Sequence, residues 1–196
     1  MAQQITLVTT NPDKVGAITA HLARFGIEVR HLHAALIEPQ ADTVEEVARI
    51  KALEAFKLAN APVIIDDTGF SIDALGGFPG PYTKYVLRTI GIEGLLSLVQ
   101  PHHSRRCRFV NALVYVDASG RLSSFVEQDG QGLLADFADQ TPCPEAWSAL
   151  WRIFIPDGYD KPLSAMLPDE RARLWEAWAA HSVYARFGRW LQDQLD

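Results

Sequence analysis

Ile5-Thr6-Leu7-Val8-Thr9-Thr10-Asn11-Pro12-Asp13-Lys14 is the stretch that decides the fold class. Its first half is β-rich and apolar, and Asn11-Pro12 then breaks it. Asn is a strong N-cap because its side-chain oxygen accepts from a free backbone N–H, and Pro fits the first helical position because its φ is already helical. Val15, Ile18, Leu22 and Phe25 follow at helical spacing, and Gly26 stops the run. Ile27 to Leu32 reads as a second strand. Thr43-Val44-Glu45-Glu46 has the capping-box pattern and opens a helix to about Ala59. Val63-Ile64-Ile65 predicts a short buried strand that ends in Asp66-Asp67-Thr68-Gly69. Strand and helix alternate, which predicts an α/β sheet.

The rest of the chain is less regular. Ala74-Leu75-Gly76-Gly77-Phe78-Pro79-Gly80-Pro81-Tyr82 holds too many turn formers for a regular element and predicts a shaped loop. A helix is expected from about Tyr82 to Val99. Residues 106–117 and 121–128 read as two strands joined at Asp117-Ala118-Ser119-Gly120. Residues 135–147 read as irregular, 153–155 as a short strand and 168–194 as one or two Trp-rich helices. With no repeat, low-complexity stretch or linker, residues 1–196 are expected to form a single α/β domain.

Composition narrows the function classes. The chain has 196 residues, 48% hydrophobic and 21% charged, so it can build a core and stay soluble. No window approaches eighteen consecutive apolar residues, and no basic stretch leads into a long apolar one. Neither a membrane partner nor a secretion leader is therefore expected, and a cytoplasmic location is. Cys107 and Cys143 lack metal-ligand spacing and read as free thiols of a reducing compartment. A net charge of −6 argues against a nucleic-acid partner, since such binding rests on a basic surface. It leaves room for a phosphate ligand, whose field is set locally by a few lysines and a metal.

Several residues could carry that chemistry. A strand ending in Thr9-Thr10-Asn11 and a helix opening at Pro12 gather free N–H groups at a positive helix end, a natural anion site. Lys14 in the first turn opposes the dipole unless an anion is present; otherwise it is a surface lysine. Asp66 and Asp67 lie at a strand's carboxyl end, where open α/β sheets bind ligands. Adjacent strand residues face opposite ways, so one carboxylate can hold a metal while its neighbour does something else. A polar turn is the plain alternative. Hard oxygen donors with a phosphate substrate point to Mg2+. Glu38 could supply a second ligand, Glu46 is the capping-box residue, and Lys51 and Lys84 are single helix lysines. The histidines have no metal spacing, and neither Gly-x-Ser-x-Gly nor a Walker motif is present.

These segments resemble the inosine triphosphate pyrophosphatase family, which clears non-standard purine nucleotides. The resemblance covers roughly residues 4–100 and is most specific at residues 74–84, with Asp66-Asp67-Thr68-Gly69 and the run from Thr9 to Lys14. It returns at Phe154-Ile155-Pro156-Asp157-Gly158-Tyr159. The resemblance implies a long mixed twisted sheet with flanking helices, two lobes around a central cleft, and a homodimer. It implies hydrolysis of a nucleoside triphosphate to the monophosphate and pyrophosphate. Thr9, Thr10, Asn11 and Lys14 would cradle the phosphates. Glu38 and Asp67 would bind Mg2+, with Asp67 also activating water. Lys51 and Lys84 would neutralise phosphate charge, with Thr68 nearby.

The chain departs from the family pattern in three places. Ala17 stands where the family has a glutamate. Ser148-Ala149-Leu150-Trp151-Arg152 replaces the base-reading Phe-Gly-aromatic-Asp-Pro run, and the C-terminal Ser-His-Arg is absent. An altered base preference is therefore expected, because a pocket that reads a base by hydrogen bonds loses discrimination without them. Trp147, Trp151, Trp175 and Trp178 would either stack another base or fill the core or a dimer face. The alternatives are an inactive nucleotide-binding or interaction protein, and a pyrophosphatase for a modified nucleotide in a biosynthetic pathway.

Overall fold

Strand and helix alternate through the first 72 residues of the computed structural model, which describes residues 3–128 and 130–194. Met1, Ala2, Asp129, Leu195 and Asp196 lie outside the described residues. The order is β1 (Gln3–Val8), α1 (Pro12–Ala23), β2 (Ile27–Leu32), α2 (Val44–Ala59) and β3 (Val63–Ile72). Then come β4 (Pro79–Gly80), α3 (Thr83–Thr89), α4 (Gly91–Val99), β5 (Arg106–Val116), β6 (Leu122–Glu127), β7 (Gln131–Leu134), β8 (Phe154–Pro156), α5 (Pro168–Ala179) and α6 (Val183–Asp193). The strands pair in the order β2-β1-β3-β5-β7-β8, with β4 on β3 and β6 on β5. β1 runs parallel to β2 and to β3, whereas the β3–β4, β5–β6, β5–β7 and β7–β8 pairs are antiparallel. The sheet is mixed, with helices flanking it.

Three details differ from the sequence expectations. β3 does not stop at Ile65 but runs through both aspartates to Ile72. The helix expected over 82–99 is two, because Gly91 takes a φ of +67° that a helix cannot continue. β7 was unforeseen: four residues, alternating exposed and buried, give too short a pattern.

The chain forms two compact units. The first comprises the residues up to Thr68, Asn111–Glu127 and those from Ala179 onward; the second comprises Gly69–Val110 and Gln128–Trp178. Each has its own core. In the first, Ile5, Leu7 and Ile64 of the sheet meet Ile18 and Leu22 of α1 and Phe187 and Leu191 of α6. Fully burying such a side chain contributes about 1.5–3 kcal/mol, more than the ~1 kcal/mol of a helix cap, so packing contributes more than the cap to holding α1 on the sheet. α6 lies tight on Phe25, for a Cβ on Gly188 would come within 2.4 Å of that ring.

In the second unit Phe70, Phe109 and Phe154 pack with buried Trp151 and Leu163. Trp175 and Trp178 are half-buried against this core, while Trp147 is 55% exposed and touches Phe109 and Trp151 edge-on or tilted. Both cysteines are free thiols, and burial pushes Cys107 up to about 12. No helix among the described residues is long and apolar enough to cross a membrane.

Candidate active site

β1, β2 and β3 form a parallel trio with β1 in the middle, so the chain reverses its direction of sheet growth at β1. The crevice outside the carboxyl ends of strands at such a reversal is where open α/β sheets take ligands. Leu7 is opposite Ile64 in the β1–β3 register, and two residues further along each strand stand Thr9 and Asp66. The loop Thr9-Thr10-Asn11 leaves β1 there. Asn11 caps α1 as its sequence predicts, its side chain accepting from the Asp13 N–H at 2.9 Å. The Thr9 hydroxyl accepts from the Asn11 N–H at 3.1 Å, which tightens the turn. Thr10 and Asn11 are exposed and Thr9 is half-buried.

The adjacent aspartates, inside a strand, face opposite ways, and each takes its own lysine. Asp66, whose side chain is only 2% exposed, receives Lys14 Nζ on Oδ2 at 2.7 Å and the Tyr184 hydroxyl on Oδ1 at 2.8 Å. Lys14 Nζ also donates to the Asp66 carbonyl at 2.9 Å. Burial alone would push the Lys14 ammonium down. The charge and hydrogen bond of Asp66, with Asp67 and Glu38 behind them, outweigh it and hold the group above its ordinary value. An ammonium has three donors, so two are committed to Asp66 and one remains for a ligand.

Asp67 receives Lys51 Nζ on Oδ2 at 2.8 Å, and the same ammonium reaches Glu38 at 3.2 and 3.3 Å. Lys51 and Asp67 are 15% and 17% exposed at the side chain, Glu38 62%. The Thr68 N–H donates to Asp67 Oδ1 at 3.2 Å, and the Thr68 hydroxyl donates to Asn111 Oδ1 at 2.9 Å. Glu38, Lys51, Asp67 and Thr68 therefore form one group, with Lys14 anchored on the next residue of the same strand. Lys84 belongs to the second unit, exposed in the first turn of α3. Glu46 completes the capping box: Thr43 accepts from its N–H at 3.1 Å, and its carboxylate accepts from the Thr43 N–H at 3.0 Å.

Among the described residues no group of three or more His, Cys, Asp or Glu side chains is placed to hold a metal. The pair Glu38 and Asp67 nevertheless suits Mg2+. Both are hard oxygen donors, and both converge on one cationic atom, the Lys51 ammonium. Mg2+ characteristically takes one or two protein carboxylates and completes its shell with water and substrate phosphates.

The residues where the sequence departs from the family pattern are packed or bland. Ala17 is exposed on α1, its carbonyl bonded to the His21 ring at 2.8 Å. Leu150 and Trp151 are buried in a 3-10 turn, and Arg152 Nε donates to the Asp139 carbonyl at 2.6 Å. Sequence reasoning missed Tyr184, Asn111 and His31, whose ring lies 2.9 Å from the Thr9 carbonyl. All three act across long sequence separations, and only the β-rich context of His31 hinted at its neighbour.

Residues 5–179 match the Ham1 family. The chain is 37% identical to a dITP/XTP pyrophosphatase of Ignicoccus hospitalis over 175 residues, covering 89% of this chain and 90% of that one. It is 32% identical to a dITP/XTP pyrophosphatase of Thermococcus kodakarensis, covering 98% and 99%. The fold is similar to a HAM1 protein from Coxiella burnetii, with a TM-score of 0.77 at 18% identity over 97% of this chain and 99% of that one.

Proposed function

The chain belongs to the Ham1 family, and from that premise we propose that it hydrolyses nucleoside triphosphates to the monophosphate and pyrophosphate with Mg2+ as cofactor. The observation that carries the reading is the pair of adjacent carboxylates on β3, each engaging a lysine beside the capped start of α1. The relatives' names, dITP/XTP pyrophosphatase, support the reaction class.

The reaction places water on the α-phosphorus, breaks its bond to the bridging oxygen and releases pyrophosphate and a proton. Such chemistry needs positioning and charge neutralisation more than a covalent nucleophile. Thr9, Thr10 and Asn11 would line the phosphates at the N-terminus of α1. Lys14 would give its third N–H to a phosphate oxygen. Glu38 and Asp67 would hold Mg2+, which when bound supplies Lewis-acid neutralisation along the phosphate chain. Lys51, released from those carboxylates, would turn its donors to the phosphates. Asp67 is also the candidate acceptor for the water's proton, with Thr68 N–H steadying its other oxygen. Lys84 would add positive charge to the phosphates.

We further propose an altered base preference. The stretch at 148–152 commits Leu150 and Trp151 to the core and offers no carboxylate, while the neighbouring Trp147 is 55% exposed and would be free to stack. A homodimer working in the cytoplasm completes the proposal; sedimentation mass and cell fractionation test those two points. The central experiment is pyrophosphate release across purine, pyrimidine and deaminated triphosphates, with and without Mg2+. Mg2+-dependent release from one or a few is expected. A folded protein that releases none from any of them refutes the reading.

A further inference from the structure

We propose that Tyr184 is a positioning residue for this reaction: through the buried carboxylate of Asp66 it fixes the Lys14 ammonium at the phosphate-binding loop. The inference rests on the role given to Lys14 under the proposed function. Its geometry is a chain of short bonds. The Tyr184 hydroxyl donates to Asp66 Oδ1 at 2.8 Å, and Asp66 Oδ2 receives Lys14 Nζ at 2.7 Å.

A carboxylate's terminal torsion is soft, with a broad two-fold profile. Held only by Lys14, the Asp66 carboxylate would swing and carry the ammonium with it. Tied at both oxygens in a site only 2% exposed, it has one orientation. That matters because a reacting group misplaced by about 1 Å loses on the order of 10²-fold in rate.

The fold places Tyr184 for this task from an otherwise unrelated part of the chain. It stands 118 residues from Asp66, in the first turn of α6. Ser182 caps that helix, accepting from the Ala185 N–H at 3.3 Å and donating to the Ala179 carbonyl at 3.0 Å. Gly188, one turn further on and on the same face, lets α6 close onto Phe25 just beyond α1. The Tyr184 ring lies 5.2 Å from the His21 ring of α1. The helix is thus seated on α1, the helix whose first turn carries Lys14, and the hydroxyl is aimed at Asp66. Mere hydrophobic packing of α6 would not need that hydroxyl.

A double-mutant cycle tests the inference. Pyrophosphate release is measured for the parent, Tyr184→Phe, Lys14→Ala and the double variant, on the triphosphate that the parent turns over best. Tyr184→Phe keeps the ring beside His21, so its melting temperature is expected within a few degrees of the parent, and its kcat/KM about tenfold lower. Lys14→Ala is expected about a hundredfold lower, with the double variant matching it within about twofold, because Tyr184 acts only through Lys14. Asp66→Asn, which removes the charge that holds Lys14 directly, should cost at least as much as Tyr184→Phe, and its loss should also vanish in the Lys14→Ala background. Losses that multiply in the double variant, or a Tyr184→Phe enzyme at parental rate beside a crippled Lys14→Ala, overturn the positioning role alone. A Lys14→Ala enzyme at parental rate overturns the role of Lys14 itself.

Discussion

Replacing Asp67 by Asn changes one oxygen to an amide nitrogen and removes one negative charge, with almost no change in volume. Lys51 Nζ then keeps Glu38 at 3.2 and 3.3 Å and an amide oxygen in place of the carboxylate now at 2.8 Å. The ammonium–carboxylate bond is charged on both sides and the ammonium–amide bond on one only, so the fold should lose roughly 1 kcal/mol, the lower part of what hydrogen bonds to charged groups contribute. In a chain of this size that lowers the melting temperature by about 2–4 °C. The chemical loss is far larger. Asn cannot accept the water's proton, and general-base catalysis contributes about 10²–10⁴-fold. In the proposed site Mg2+ would also lose one of its two carboxylates. Circular dichroism melting checks the first figure, and initial rates of pyrophosphate release at saturating Mg2+ check the second. Turnover within about threefold of the parent would show that Asp67 neither holds the metal nor takes the proton. A melting temperature lowered by more than about 10 °C would show instead that the Lys51 pair is chiefly structural.

Lys84→Ala should leave the melting temperature nearly unchanged, since the side chain is exposed, while lowering kcat/KM by at least tenfold; parental kinetics would remove Lys84 from the site. Thr43→Ala removes one half of the capping box and should cost about 1 kcal/mol of stability in urea titration with turnover preserved, because the bond it removes belongs to the first turn of α2. Stability should fall in alkali. Burial raises the Cys107 thiol from its ordinary 9.0 to about 12, so the unfolded thiol ionises first and stability drains away from about pH 9 upward. The raised Lys14 acts in the same sense: its contribution is complete below its unfolded value of 10.5 and is lost as the pH rises through the higher folded one. Urea melts between pH 8 and 11 check both, and a flat profile would contradict them.

What the sequence disclosed was local. The N-cap at Asn11, the capping box at Thr43 and Glu46, and the hairpin turn at Asp117 each depend on residues within four positions. Period-two logic also carried the opposed faces of Asp66 and Asp67 through, even though β3 runs seven residues further than its apolar start indicated. What stayed hidden was anything that one segment does for another. Nothing near Tyr184 signals a carboxylate, because its partner is 118 residues away, and nothing in Lys51 foretells that it bridges Glu38 and Asp67. The tryptophans show the same limit. Their composition allowed stacking or packing, and tertiary context buries Trp151 while leaving Trp147 exposed.

The first compact unit is assembled from three stretches of chain, the last of which begins at Ala179. Synthesis proceeds from the amino end, at about 5–20 residues per second. Every residue of the second unit has therefore been made before the helix that seals the first unit exists. Until α6 leaves the ribosome, the apolar faces of α1 and the sheet that Phe187 and Leu191 will cover stay open, and Asp66 lacks its tyrosine. A nascent chain stopped between residues 68 and 183 thus holds the Thr9–Asn11 loop and both aspartates in a setting that α6 has yet to complete.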